Sequence, residues 1–312
     1  MSSDPSPNRA PFPHEAAAVQ SGDALVGGGG MGARMRATDW SKTALGPPSS
    51  WSQGLRSALS ICLESRFPIA LYWGPALTLV YNDAWSPILG KKHPWALGRG
   101  ARDVWPEIWD TIGPMFEQVM SAGEGTYSED ALLPMHRHGY VEECYFNFTF
   151  TPVRGAAGVE GVFNAVIETT YRVVSERRNR LLRDLSDAVT RARSAVEACT
   201  LAASSLATGT EDVPFCFLYL TADEAEGDGS SVELVASASL PPASHAAVWP
   251  FAAARASGQV QVVGDLPSRL GVAPPGGAWP EPSPAALVAP LVAAGQTWGF
   301  LVLGANPRRA FD

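Results

Sequence analysis

"LTLVYNDAWSPILG", residues 77–90, changes its period halfway along. Leu77–Asn82 reads as a strand, rich in β-branched and aromatic residues and following a Gly74-Pro75 turn. Asn82 has the side chain of a helix N-cap, and the short helix that follows stops at Gly90. Outward from there, "PIALYW" (68–73) reads as a partner strand and "SQGLRSALSICLES" (52–65) as a helix, with Leu55, Leu59 and Cys62 at spacings of 4 and 3. Downstream, "KKHPWALGRGARDVWPEIW" (91–109) reads as turns and short helices around Trp95, Trp105 and Trp109, and "WDTIGPMFEQVMSAG" (109–123) as a longer helix. Three strands follow in "GTYSEDALLPM", "YVEECYFNFTFTPV" and "VEGVFNAVIETT". In the middle one Cys144, Phe146, Phe148 and Phe150 alternate with Tyr145, Asn147 and Thr149. Two strands, a helical middle and three strands predict an α+β domain, residues 37–170, with a five-stranded antiparallel sheet and its helices on one face.

The chain has 312 residues, which suggests two domains. Residues 1–36 are rich in Pro, Ser, Gly and Ala and read as a disordered leader. "GGGGMG" (27–32) matches the spacing of a dinucleotide fingerprint, but lacks the strand before it and a full helix after it. It reads as linker. A formal net charge of −8 argues against a nucleic-acid partner. No apolar run is long enough to span a membrane, and the N-terminus lacks a secretory pattern. The 4 cysteines form no CxxC pair, which points to a reducing, cytoplasmic setting.

From residue 171 to 208 the pattern changes again. Val174, Leu181, Leu185, Ala188, Ala192, Ala195, Cys199, Ala202 and Leu206 fall on a 3-4 spacing. That predicts one long coiled-coil helix, with Leu181, Leu185, Ala188, Ala192, Cys199 and Leu206 as the seam of a homodimer. Residues 209–312 read as a second α+β domain, with strands in "PFCFLYLTA", "SVELVASASL", "QVQVVGDL", "AALVAPLVAAG" and "WGFLVLGAN" and a helix in "HAAVWPFAAARASG".

Catalytic constellations are not evident. His136-x-His138 puts two imidazoles on one strand face, yet no third metal ligand is signposted, although Glu142 or Glu143 could approach across a hairpin. Glu142-Glu143 and Glu129-Asp130 read as exposed strand edges, not acid/base pairs. No G-x-S-x-G, Walker A or kinase signature occurs, no cofactor is evident, and no metal site is expected.

With these residues in view, the first domain resembles the PAS sensory fold. The resemblance rests on "LTLVYNDAWSPILG", on the aromatic stretch through Trp109, on "GYVEECYFNFTFTPVR" and on the terminal "ETT" (168–170). The likeness is to a PAS subfamily at the N-terminus of bacterial sensor histidine kinases. The second domain resembles a GAF domain, cut short after its last strand. The implied function is the signal-sensing and transmitting input module of a two-component sensor histidine kinase, its kinase domains being absent from this chain. The implied ligand pocket involves Trp73, Tyr81, Trp85, Trp105, Cys144 and Phe146. Glu168, Thr169 and Thr170 are the implied transmission residues, Glu168 standing where an Asp is usual. Implied partners are a second copy, a downstream kinase or response-regulator module, and a small-molecule ligand. Two alternatives remain: a ligand-free dimerisation or docking module, and a bilin-, flavin- or haem-dependent sensor.

Overall fold

The computed structural model describes residues 25, 27–221, 231–241 and 245–309. Its elements run α1 (Gly29–Ala37), α2 (Gln53–Glu64), β1 (Ile69–Trp73), β2 (Thr78–Tyr81), α3 (Ser86–Leu89), α4 (Ala101–Val104), α5 (Trp109–Ala122), β3 (Thr126–Leu132), β4 (Met135–His136), β5 (Val141–Glu142), β6 (Tyr145–Gly155) and β7 (Gly158–Glu168). Then come α6 (Thr170–Val189), α7 (Ala195–Leu206), β8 (Cys216–Thr221), β9 (Val232–Ala238), α8 (Phe251–Ser257), β10 (Gln261–Gly264), α9 (Leu266–Leu270), β11 (Ala285–Ala293) and β12 (Gln296–Gly304). The fold is mixed α and β with antiparallel strand pairing. The chain divides into two compact units, Met1–Ser128 with Phe148–Ile167, and Glu129–Asn147 with Glu168–Asp312.

A five-stranded sheet has the order β2-β1-β7-β6-β3. β1 lies between β2 and β7, antiparallel to both, and all five of its residues are buried. Asn82 organises this end of the first unit. Its Oδ1 accepts from the Trp85 amide at 3.0 Å and from the Ile69 amide at 3.2 Å. Its Nδ2 donates to the carbonyls of Cys62, Ser65 and Phe67 at 3.0, 3.0 and 2.7 Å. One buried amide therefore caps the 3-10 turn Asp83–Trp85 that leads into α3, pins β1 and closes the C-terminal end of α2, whose terminal carbonyls lack helical partners. Gly90, at φ 52, ends α3 as expected from its freedom at positive φ. The core beneath is aromatic: Phe116 of α5 lies 4.7 Å from Tyr72 and stacks on Phe150 at 4.2 Å.

Residues 29–37, expected as the end of a flexible leader, form α1, with Met31 and Met35 buried. The rest of the leader up to residue 24 lies outside the described residues. The glycine run starts this helix, but no ligand phosphate is needed to explain it. Asp83 supplies a carboxylate there, its Oδ1 accepting from the Met31 amide at 2.8 Å.

The second five-stranded sheet has the order β10-β11-β12-β8-β9, with every neighbouring pair antiparallel. Alternation divides its faces. Phe217, Tyr219, Val288, Phe300 and Val302 form one core with Trp249, Ala254 and Leu266. On the other face Cys216 and Leu218 meet Cys199, Ala202, Ala203 and Leu206 of α7, with Leu181 and Leu185 of α6 packed against this cluster.

That second core corrects the single long helix expected over 171–208. The chain breaks between Val189 and Ala195, and α6 and α7 pack on one another. Ser194 caps α7 by accepting from the Glu197 amide at 3.2 Å, while Glu197 accepts from the Arg193 amide at 2.7 Å, a box that starts a new helix. The seam residues Leu181, Leu185, Cys199 and Leu206 are consumed within the chain. Ala188 and Ala192 fall at the end of α6 and in the break that follows. Gly209 lets α6 approach closely, since a Cβ there would lie 2.6 Å from a Leu181 methyl. The 3-4 spacing reports a buried face correctly, but not what buries it.

Candidate functional site

Residues 129–147, expected as part of the first domain, belong to the second compact unit, and a network of charged bonds ties them to the rest of it. The β4–β5 hairpin pairs Met135 with Glu142 and His136 with Val141. Arg137 at its turn folds back with a side chain only 8% exposed. Its guanidinium makes two forked pairs. Nε and Nη2 donate to Glu142 at 2.7 and 3.1 Å, and Nη1 and Nη2 donate to Glu168 at 2.8 and 2.7 Å. Burial works against the Arg137 charge, but the two carboxylates outweigh it and hold its pKa above the ordinary arginine value. Burial likewise opposes ionisation of Glu142, yet Arg137 and His138 keep its carboxyl below the usual range.

Glu143, read from the sequence as an exposed edge, is the most enclosed acid of this cluster, with a side chain 0% exposed. Its carboxylate accepts from Arg177 Nη1 at 2.7 Å, Asn306 Nδ2 at 2.9 Å and the Tyr145 hydroxyl at 3.1 Å. Its amide donates to the Arg308 carbonyl at 3.0 Å. Arg177 Nε also donates to Asp212 at 2.6 Å, and Arg178 shares that acid at 3.0 Å. Hence α6, the 306–308 segment after β12 and the hairpin converge on a single carboxylate. Neither Glu142, with a side chain 18% exposed, nor Glu143 is an exposed edge.

The three residues expected to transmit a signal are wired into this clasp. Glu168 holds Arg137 and accepts from the Thr170 hydroxyl at 2.9 Å. Thr170 Oγ1 accepts from the Tyr145 amide at 2.9 Å, and the Thr169 amide donates to the Tyr145 carbonyl at 2.8 Å. The Thr169 hydroxyl donates to Asp130 Oδ1 at 2.7 Å. Asp130 adopts φ 46, a left-handed conformation that Asp tolerates better than most residues, and its carboxylate also receives Arg172. Those bonds, from Arg172 first and then Thr169, lower its pKa.

The expected pocket residues fall in both units. In the first, Tyr81 lies 5.3 Å from Trp85, and Trp85 lies 5.9 Å from Trp105, whose indole donates to the Tyr72 hydroxyl at 3.1 Å. Trp73 is buried on β1. These rings fill space with one another. Trp85 Nε1 is buried without a hydrogen-bond partner, and the Tyr81 hydroxyl meets His93 Nδ1 at 3.0 Å. Cys144 and Phe146 are buried in the second unit's residue range. A groove of about 760 Å³ lies elsewhere, along the Trp95–Asp110 stretch of the first unit.

All four cysteines are free and buried. Burial pushes the thiols of Cys62 and Cys144 up to about 12 and that of Cys216 up to about 11, which suits packing and opposes thiolate chemistry. His138 does meet Glu142, at 2.9 Å across the hairpin, but among the described residues no group of three ligands could hold a metal ion.

Residues 192–312 match the family model described as a GAF domain. The matched range includes α7, which the sequence had assigned to a signalling helix. No curated protein matches the chain. Among solved structures, a sensory box sensor histidine kinase from Vibrio cholerae is 16% identical, with a TM-score of 0.26, over 36% of this chain and 86% of that one. The GAF domain of an Acinetobacter phosphoenolpyruvate-protein phosphotransferase is 19% identical, with a TM-score of 0.32, over 44% of this chain and 81% of that one. The nlh2 GAF domain of A. Aeolicus in an inactive state is 11% identical, with a TM-score of 0.33, over 42% and 81%. Among the described residues no helix is long and apolar enough to cross a membrane.

Proposed function

We propose that this chain is a signal-sensing and transmitting input module, a PAS-like unit followed by a GAF domain, which biases a kinase or response-regulator output. The observation that carries the reading is the convergence on Glu143 and Arg137. The exit of β7, the start of α6, the β4–β5 hairpin and the end of β12 share one buried network of charged bonds. Such a network is satisfied as a whole or not at all, so it favours two discrete arrangements over graded bending. A change in strands β3, β6 or β7 reaches Asp130, Tyr145 and Glu168 along the backbone and is met there by Arg172, Arg177 and Arg137 on the other side. The five-stranded order β2-β1-β7-β6-β3, with its helical middle after β2, supports the PAS-like part of the reading.

The input is assigned to the aromatic interior of Tyr81, Trp85 and Trp105, where the unpartnered Trp85 indole offers a donor. A homodimer belongs to the proposal, now through the outward side of α6, where Leu182 is 61% exposed. The filled aromatic core favours a second reading, a docking module that holds no ligand. Native mass spectrometry and absorbance from 350 to 700 nm separate the two. A retained small molecule or chromophore supports sensing by ligand, and a bare polypeptide mass supports docking. Transmission itself is tested by fusing the chain to a histidine kinase catalytic module: Arg137→Ala changes basal autophosphorylation, and an unchanged rate overturns the proposal.

A further inference from the structure

The outer side of the 95–110 stretch carries a binding surface apart from the aromatic interior to which sensing is assigned. Arg99, Arg102, Asp103, Pro106, Trp109 and Asp110 recur at spacings of 3 and 4, which brings them to one side of the α4–α5 run. With Trp95 they line the groove of about 760 Å³, inside the range of about 300–1,000 Å³ typical of small-molecule sites. Its walls are held in place. Trp95 is 49% exposed, and the Arg99 guanidinium stands over its ring at 4.3 Å from the centroid. Arg99 Nε also donates to the Trp95 carbonyl at 3.1 Å, so the guanidinium is anchored twice while its two Nη groups face outward demand. That free edge is the one that receives a carboxylate in a fork. Trp109 stacks on Phe116 at 6.0 Å and 16°. It lies along α5 because residue 113 is glycine: a Cβ there would come within 2.9 Å of Trp109 Nε1. Behind the groove Lys92 Nζ donates to the Val104 carbonyl at 2.6 Å and pairs with Glu107 at 2.5 Å, which ties down the turn between α4 and α5.

The groove's charges are not spent on one another. Arg102, Asp103 and Asp110 are exposed and, among the described residues, none of them makes an ion pair or a side-chain hydrogen bond. Two guanidinium groups and two carboxylates in one groove sort its ligands by charge. A phosphate is drawn by Arg99 and Arg102 but repelled by Asp103 and Asp110, and a simple cation meets the reverse. A zwitterion satisfies both pairs, and the indole walls favour a flat apolar group beside its charges. We infer that the groove binds a zwitterionic α-amino acid with an aromatic side chain. Its carboxylate takes the Nη edge of Arg99, Arg102 adds to the attraction, its ammonium is met by Asp103 and Asp110, and its ring lies on Trp109. The charged groups stay in contact with water, so each contributes modestly and the expected Kd is about 1 mM.

The test uses the full chain labelled with 5-fluorotryptophan and L-phenylalanine as the probe, the resonances being assigned with Trp85→Phe, Trp95→Phe, Trp105→Phe and Trp109→Phe. L-phenylalanine moves the Trp95 and Trp109 ¹⁹F resonances in a saturable way and leaves those of Trp85 and Trp105 in place. Three analogues each lack one element: 3-phenylpropionate the ammonium, phenethylamine the carboxylate and L-alanine the ring. Each binds about fivefold more weakly or worse, the upper end for an exposed charge pair. Arg99→Gln weakens L-phenylalanine by a similar factor and leaves phenethylamine unchanged. Unmoved Trp95 and Trp109 resonances up to about 20 mM L-phenylalanine, a concentration far above the expected Kd, overturn the inference. So does an analogue that binds as tightly as L-phenylalanine, an L-phenylalanine affinity unchanged in Arg99→Gln, or movement of Trp85 or Trp105 in place of the groove tryptophans, which puts the ligand in the interior.

Discussion

Replacing Glu143 by alanine is the sharpest perturbation of the clasp. The carboxylate is fully enclosed and accepts from three side chains, Arg177, Asn306 and Tyr145. Truncation leaves the Asn306 amide and the Tyr145 hydroxyl without this partner, each costing about 1–3 kcal/mol where no water enters. Breaking a buried ion pair from one side costs about 3–5 kcal/mol. Arg177 keeps Asp212 at 2.6 Å, so the lower end of that range applies and the expected loss is about 3 kcal/mol. For a unit of this size that lowers the melting temperature by about 6–12 °C, at about 2–4 °C per kcal/mol. The assay is urea denaturation followed by the fluorescence of Trp249, Trp279 and Trp298, all in the second unit. A double-mutant cycle with Arg177→Ala isolates the pair and is expected to give a coupling of about 1.5–3 kcal/mol. A loss below about 1 kcal/mol for Glu143→Ala, the range of exposed pairs, refutes the reasoning.

Asn82→Ala removes an N-cap and takes the Asn82 donor from the buried Cys62 carbonyl and the part-buried Ser65 and Phe67 carbonyls; a loss of about 2–3 kcal/mol is expected from the denaturation midpoint. Asn82→Asp keeps the cap acceptor but not the donors, and is expected to destabilise as well. Acid weakens the clasp. Glu142 and Asp130 are held below their ordinary values of 4.5 and 3.8, so the unfolded state binds more protons in this window. Their stabilisation is complete above about pH 4.5 and is lost as pH falls through the depressed values. Asp130→Asn flattens the lower part of that stability profile in denaturant midpoints taken from pH 6 to 3. The four cysteines resist a thiol-specific disulfide reagent at pH 7.5 until the chain unfolds, since burial keeps them protonated. Rapid labelling of the native protein contradicts that account.

Local signals in the sequence carried much of the architecture. The period change at Asn82 located both the strand and the short helix, because a cap depends on residues a few positions apart. The short apolar runs "PFCFLYLTA" and "WGFLVLGAN" read as strands, and strands lie there at Cys216–Thr221 and Gln296–Gly304. Two readings failed where a local pattern has more than one tertiary solution. The 3-4 spacing from Leu181 to Leu206 served packing within the chain, although the Ser194-x-x-Glu197 box already marked a second helix start. Glu143 looked like a surface acid, since its partners Arg177 and Asn306 lie 34 and 163 residues away. No local pattern encodes such a pairing. Glu168-Thr169-Thr170 was read as an exit, and the Arg137 partner of Glu168 lies 31 residues away, beyond any local pattern.

Native-state hydrogen exchange on Trp85→Phe measures transmission most directly. The substitution loosens the aromatic interior of the first unit while keeping a ring at that position. The account predicts altered protection at Asp130–Tyr145 and in the first turns of α6, and it predicts that Arg137→Ala, added to Trp85→Phe, abolishes the change in α6. A change confined to residues around Tyr81, Trp85 and Trp105, with α6 untouched, contradicts it.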